Sequence, residues 1–271
     1  MITSCTEEQK QSASQFKSDQ NMINIAYGSD SLHRMDIFLP ANRSADHTKS
    51  IVLIHGGGWS GGSRSEFNPY IDTIKQKLPG YAIFNLSYRL INGRNLFPVP
   101  EEDIKSAMDH IVENSEDYGI SKNDLVLLGF SAGGHLALLH SYKNDDPKIK
   151  AVISFFGPTD LETMYREPWH PYVPLALQMV TGTTPSANSD IYKTSSPINY
   201  VDSNSPPTLL IHGTQDKVVD ISQSRSLQKK LQQEGVGHEL LEHKGLGHGW
   251  RGEKMHESFK KVQAFLNQWV N

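Results

Sequence analysis

Three short stretches of the chain hold residue types that do chemistry together. Leu125-Val126-Leu127-Leu128 runs into Gly129-Phe130-Ser131-Ala132-Gly133-Gly134 and then into His135-Leu136-Ala137-Leu138-Leu139: a strand pattern, a turn of small residues, a helical pattern. G-x-S-x-G in that setting is a sharp turn that lifts a serine hydroxyl clear of a sheet. The helix that follows aims its N-terminal amides at the site, where negative charge develops when a carbonyl is attacked. A serine hydroxyl is a poor nucleophile at neutral pH and needs a base, itself oriented by a third group. Asp216 (in His212-Gly213-Thr214-Gln215-Asp216) and His248 (in Gly245-Leu246-Gly247-His248-Gly249-Trp250) each follow a later strand pattern, giving the order serine, acid, histidine. Among rival groups, Asp160 comes one strand early. Asp220, with Gln223 three residues on, reads as a helix cap in a capping box. His238 and His243 bracket a strand and read as structural. Ser131, Asp216 and His248 are the candidate catalytic residues.

The third stretch, Ile51-Val52-Leu53-Ile54-His55-Gly56-Gly57-Gly58-Trp59-Ser60-Gly61-Gly62, has two readings. Gly56 to Gly61 fits G-x-G-x-x-G, the dinucleotide fingerprint. That fold calls for an acid about 20 positions further on, at the end of the next strand. Tyr81-Ala82-Ile83-Phe84-Asn85-Leu86 ends without one, and no phosphate-loop motif occurs elsewhere. The other reading is an anion hole, in which backbone N–H groups face the carbonyl oxygen of an acyl-serine intermediate. Gly57, Gly58 and Ala132 are the candidate donors. Trp59, beside them, and Trp169 are candidate substrate-binding residues.

Elements that position these residues follow from the hydrophobic pattern. Strands are expected near Met22–Tyr27, Arg34–Leu39, Ile51–Ile54, Tyr81–Leu86, Leu125–Leu128, Ala151–Phe155, Thr208–Ile211 and Glu239–Glu242. Helical periodicity falls near 66–78, 101–117, 132–143, 221–234 and 253–270. Gly28-Ser29-Asp30 makes the first two strands a hairpin, and Pro100 before two glutamates and an aspartate marks a helix start. The alternation predicts an α/β fold: a mainly parallel eight-stranded sheet flanked by helices. Residues 161–206, rich in aromatics and prolines, break the alternation and read as a small lid-like insertion. The expected organisation is a tail over residues 1–20 and a single domain over 21–271.

Composition excludes several classes. With 271 residues, 37% apolar and 21% charged, and a formal net charge of −4, the chain is an ordinary globular protein with no basic stripe for nucleic acid. No apolar run approaches the roughly 20 residues of a membrane-spanning helix. No His/Cys cluster with ligand spacing is present, so neither metal nor cofactor is expected; His238 to His243 is not H-E-x-x-H. The single cysteine, Cys5, follows Ile2-Thr3-Ser4 and precedes a polar stretch. That context fits either a cytoplasmic protein with a frayed terminus or a bacterial cell-envelope lipoprotein, although the apolar segment that normally precedes a lipid-attachment cysteine is missing.

His55-Gly56-Gly57-Gly58-Trp59, Asn85-Leu86-Ser87-Tyr88-Arg89-Leu90, Gly129-Phe130-Ser131-Ala132-Gly133-Gly134, His212-Gly213-Thr214-Gln215-Asp216 and Gly247-His248-Gly249 occur in one order across residues 51–250. In this the chain resembles the lipases and esterases of the α/β-hydrolase fold that carry His-Gly-Gly-Gly, near the hormone-sensitive-lipase-like and the feruloyl- or acetyl-esterase-like branch. The resemblance implies a serine carboxylic-ester hydrolase acting on a small-molecule ester. Hormone-sensitive-lipase-like members carry a longer N-terminal cap, whereas only a tail and a hairpin precede the glycines here. Small or short-chain acyl esters, including acetylated carbohydrates and aryl esters, are therefore the expected substrates. Amidase, peptidase or arylformamidase-like chemistry with the same three residues is the alternative, and a non-catalytic binding protein is a further one.

Overall fold

A computed structural model describes residues 16–144, 146 and 148–270. Cys5 and most of the expected tail lie outside the described residues. Eight strands form one sheet: β1 (Gln20–Ala26), β2 (Arg34–Leu39), β3 (Ser50–Ile54), β4 (Ala82–Leu86), β5 (Leu125–Phe130), β6 (Ile149–Phe155), β7 (Thr208–Gly213) and β8 (His238–His243). Their spatial order is β1-β2-β4-β3-β5-β6-β7-β8. The β1–β2 and β2–β4 pairs are antiparallel and all others parallel.

Alternate residues of the central strands feed two separate cores. Val52 and Ile54 of β3 and Leu125 and Leu127 of β5 face one side; Ile51, Leu53, Val126 and Leu128 face the other. The first side is covered by α2 (Val99–Glu113), α4 (Ala132–Lys143) and α8 (Ser222–Gln233), the second by α1 (Ile71–Lys77) and α9 (Glu253–Trp269). Because both faces are covered, β3, β4 and β5 are buried along their whole length and, Ser50 and Asn85 apart, read as apolar runs. In α9, Phe259, Val262, Phe265 and Leu266 form the stripe that its 3–4 residue spacing implies. The helix pattern near 66–78 resolves into a 3-10 turn (Arg64–Tyr70) containing Pro69, followed by α1. The 101–117 pattern begins two residues earlier than expected, at Val99, and breaks at Asn114 into α2 and the short α3 (Ser115–Tyr118).

Residues 161–206 contain α5 (Leu161–Arg166), α6 (Val173–Thr181), α7 (Ser189–Thr194) and a 3-10 turn (Pro197–Tyr200). Leu161, Met164, Leu177, Val180 and Tyr192 join the core cluster that includes α4, so this segment is packed onto the sheet domain. Short, proline-punctuated pieces leave no long helical period, which is why the sequence shows no helix there.

β3 pairs in parallel with β4 on one side and β5 on the other, with Ile54 opposite Gly129. The loops leaving β3 and β5 therefore start side by side at the carboxyl edge, the edge at which open α/β sheets bind ligands. β7 and β8 deliver their loops to the same edge.

Candidate active site

Ser131 sits between β5 and α4 with φ 51° and ψ −117°, in the left-handed half of backbone space that a residue with a Cβ avoids. What enforces this is close backbone approach. A Cβ on Gly129 would lie 2.1 Å from the Gly133 carbonyl oxygen, and one on Gly133 would lie 2.0 Å from that of Ile54. The Ser131 amide donates to Phe155 O at 2.8 Å, tying the turn to β6.

The hydroxyl Oγ of Ser131 lies 2.9 Å from His248 Nε2, and His248 Nδ1 lies 2.7 Å from Asp216 Oδ2. The loops carrying the acid and the histidine are laced together: Gln215 N donates to Leu246 O at 2.8 Å and Gly245 N to Thr214 Oγ1 at 2.9 Å. Asp216 is buried, and its Oδ1 accepts from the amides of Val218 (2.8 Å) and Val219 (3.0 Å). Oδ2 also faces His212 Nε2 at 3.1 Å. Burial alone would raise the Asp216 carboxyl, but donors from His212, His248 and Val219 outweigh it and hold the group well below the usual carboxylate range. His212 has a defined tautomer. Its Nε2 faces two acceptors, Asp216 and Val219 O (2.9 Å), so it carries the proton, and Nδ1 accepts from the Ser224 hydroxyl at 2.7 Å.

The loop after β3 is held from both ends. Gly57 and Gly58 have φ of 103° and 57°, and Trp59 follows at 57°, so three consecutive residues are left-handed. Trp59 O accepts from Ile91 N at 2.8 Å, and the Trp59 indole donates to His135 Nδ1 at 3.2 Å. His135 Nε2 in turn donates to Ser195 O at 2.7 Å, at the end of the 161–206 segment. At the other end, Gly56 N donates to Glu66 Oε2 at 2.6 Å. Among the described residues, the amides of Gly57, Gly58 and Ala132 have no protein acceptor. Glu66, His135 and His212 complete this arrangement without belonging to a spaced catalytic pattern. The hint for His135 and His212 is a polar residue inside an otherwise apolar run.

Two cavities meet at Ser131. One, of about 550 Å³, runs beneath α6 and is bounded by Gly58, Trp59, Ala132, Met164, Leu177 and Val180. The other, of about 900 Å³, holds His248 together with Glu66, Tyr70, Trp250 and Arg251. Trp59 is buried in the first, edge-on to Phe97 and His135. Trp169 bounds neither of these two cavities, and its indole donates to Lys217 O at 3.2 Å. Asp160 caps α5 through Thr163 N at 3.0 Å. The capping box at Asp220 does not form, because Gln223 is buried and its Oε1 accepts from the amides of Thr159 and Asp160 at 2.8 Å. His243 bonds Ser258 Oγ at 2.8 Å and His238 bonds Val236 O. Among the described residues there is no group of three or more His, Cys, Asp or Glu able to hold a metal, and no helix long and apolar enough to cross a membrane.

A mainly parallel sheet of eight strands, with a serine on the turn after β5 and an acid and a histidine after β7 and β8, is the α/β-hydrolase fold. The chain belongs to the BD-FAE family, whose model matches residues 35–231. It is 26% identical over 262 residues to Esterase LipC of Mycobacterium tuberculosis, covering 90% of this chain and 64% of that protein. The Probable carboxylic ester hydrolase LipM of the same organism is 27% identical over 77% of this chain and 51% of its own. The chain thus spans about half to two thirds of the length of these curated relatives. A solved structure, a truncated form of a carbohydrate esterase from gut microbiota, superposes with a TM-score of 0.80 at 25% identity, covering 94% of this chain and 97% of that one.

Proposed function

We propose that the protein hydrolyses carboxylic esters of small molecules through an acyl-serine intermediate. The observation that carries this reading is the unbroken hydrogen-bond chain from Asp216 through His248 to Ser131. His248 Nε2 takes the Ser131 proton as Oγ bonds to the ester carbonyl carbon. Collapse of the tetrahedral adduct breaks the bond to the alcohol oxygen, which leaves with the proton from His248. Water then attacks the acyl-serine with the same base, releasing the carboxylic acid and restoring the hydroxyl. Asp216 holds the His248 tautomer and balances its charge. The amides of Gly57, Gly58 and Ala132, unengaged within the protein, receive the oxyanion. An esterase relative and a carbohydrate-esterase neighbour support the same chemistry.

The test is hydrolysis of p-nitrophenyl esters with Ser131→Ala. Turnover should fall by roughly 10⁶-fold, the scale of losing a nucleophile in such a triad. Undiminished turnover by the folded variant refutes the mechanism.

A further inference from the structure

The two cavities at Ser131 differ in a way that assigns the two halves of the ester. Leaving-group departure requires a proton from His248 Nε2, so the alcohol oxygen must stand beside that atom. Only the larger cavity is lined by His248; the cavity beneath α6 touches Ser131 and the amide residues Gly58 and Ala132 but not the imidazole. The charge distribution divides the same way. No residue bounding the cavity beneath α6 carries a charge, whereas the larger one holds Glu66 and Arg251. Glu66 is oriented through Oε2 by the Gly56 amide, and among the described residues no carboxylate pairs with Arg251.

Resting on the acyl-serine reading, we propose that the acyl group enters the uncharged cavity beneath α6, that the alcohol occupies the charged one, and that the enzyme favours apolar acyl chains longer than butanoate. Three features favour a chain over an acetyl group. At about 550 Å³ the cavity is in the range of sites that enclose whole drug-sized ligands, roughly 300–1,000 Å³. Its walls (Trp59, Met164, Leu177, Val180) are apolar and anchored in the core. Met179 and Val218 carry that apolar lining outward, being 65% and 55% exposed. The 161–206 segment thus covers this cavity, and α6 sets the acyl preference. Glu66 and Arg251 read the alcohol instead, through its hydroxyls or charge.

Two ester series separate the claims: one varying the acyl chain from acetate to decanoate on p-nitrophenol, the other varying the alcohol on a fixed hexanoyl group. In the first, kcat/KM should climb by about fourfold per methylene beyond acetate until the cavity is filled, the worth of one buried CH₂. Ala176→Trp, placed at an exposed position of α6 that bounds the cavity, should lower the octanoate-to-acetate ratio of kcat/KM at least tenfold and leave the ranking of alcohols as it was. Arg251→Met should reorder the alcohols and leave the slope against acyl length unchanged. An acetate optimum overturns the proposal, as does an Ala176→Trp variant that acts on the alcohol series or on neither. Turnover that persists in Ser131→Ala defeats the acyl-serine reading itself. An acetate optimum that still needs Ser131 defeats only the assignment of the cavities.

Discussion

Asp216→Asn keeps the size and shape of the side chain and removes its charge, so its effect isolates what the carboxylate does. Asp216 receives four donors: two amides on Oδ1 and the two imidazoles of His248 and His212 on Oδ2. An asparagine has one oxygen and one NH₂ for these two sets. The fixed backbone amides of Val218 and Val219 cannot accept, so the amide oxygen must face them. The NH₂ then faces His248 Nδ1, which can only accept. His248 is forced into the tautomer with its proton on Nε2, aimed at Ser131 Oγ 2.9 Å away, and can no longer take the serine proton. His212 can keep its own bond to Val219 O, so the fold has little reason to fail. A wrong tautomer in this kind of triad costs about 10⁴ in kcat, roughly 5.5 kcal/mol of transition-state stabilisation. Steady-state kinetics on the preferred p-nitrophenyl ester should show that loss in kcat with KM changed by no more than a few-fold, and a thermal melt should show the variant folded. A folded Asp216→Asn within tenfold of the parent kcat refutes the role given to Asp216. Asp160→Asn is the control, because that acid caps α5 and should cost no more than about 1 kcal/mol of stability with no loss of kcat.

Gly133→Ala places a Cβ against the Ile54 and His55 carbonyls at 2.0 and 2.5 Å, so it should cost at least about 3 kcal/mol and lower the melting temperature by about 6–12 °C. Gly58→Ala, left-handed but with nothing within 4 Å, should cost only about 1–2 kcal/mol; equal melts for the two variants contradict the close-approach argument. Trp59→Phe leaves the His135 Nδ1 lone pair buried without its donor, an expected loss of about 1–3 kcal/mol in a denaturation midpoint, and an unchanged midpoint counts against that bond. Burial lowers the imidazoles of His55, His135 and His140 from 6.5 to about 4. The unfolded chain then binds protons that the native one refuses, so stability is constant above about pH 6.5 and falls as pH drops toward 4, by roughly 3 kcal/mol per histidine when complete. Melts between pH 8 and 4 should show this decline, shallower in His140→Gln; a flat profile contradicts it.

How far the sequence reached depended on whether a residue's setting is local. Strand β2 begins and ends where the pattern puts it, because Met35, Ile37 and Leu39 recur at the strand period of two and feed one core, and α4 spans 132–143 as expected, buried along nearly all of its length. Glycine at 129 is likewise a local demand of a turn whose backbone nearly touches that of Gly133, whereas glycine at 133 answers to the Ile54 carbonyl on the neighbouring strand β3. The order of Ser131, Asp216 and His248 along the chain follows from the succession of parallel strands. Tertiary structure decided what depends on residues far apart in sequence: that Gln223 turns inward to Thr159 instead of closing a capping box, and that Trp169 turns to Lys217. It also decided that His135 links Trp59 to Ser195 and that α6 roofs an uncharged cavity. A one-dimensional pattern records which side chains avoid water. Which of them meet across 60 or 100 residues is set by the packing of the sheet and its covers, and the candidate site is made of such meetings.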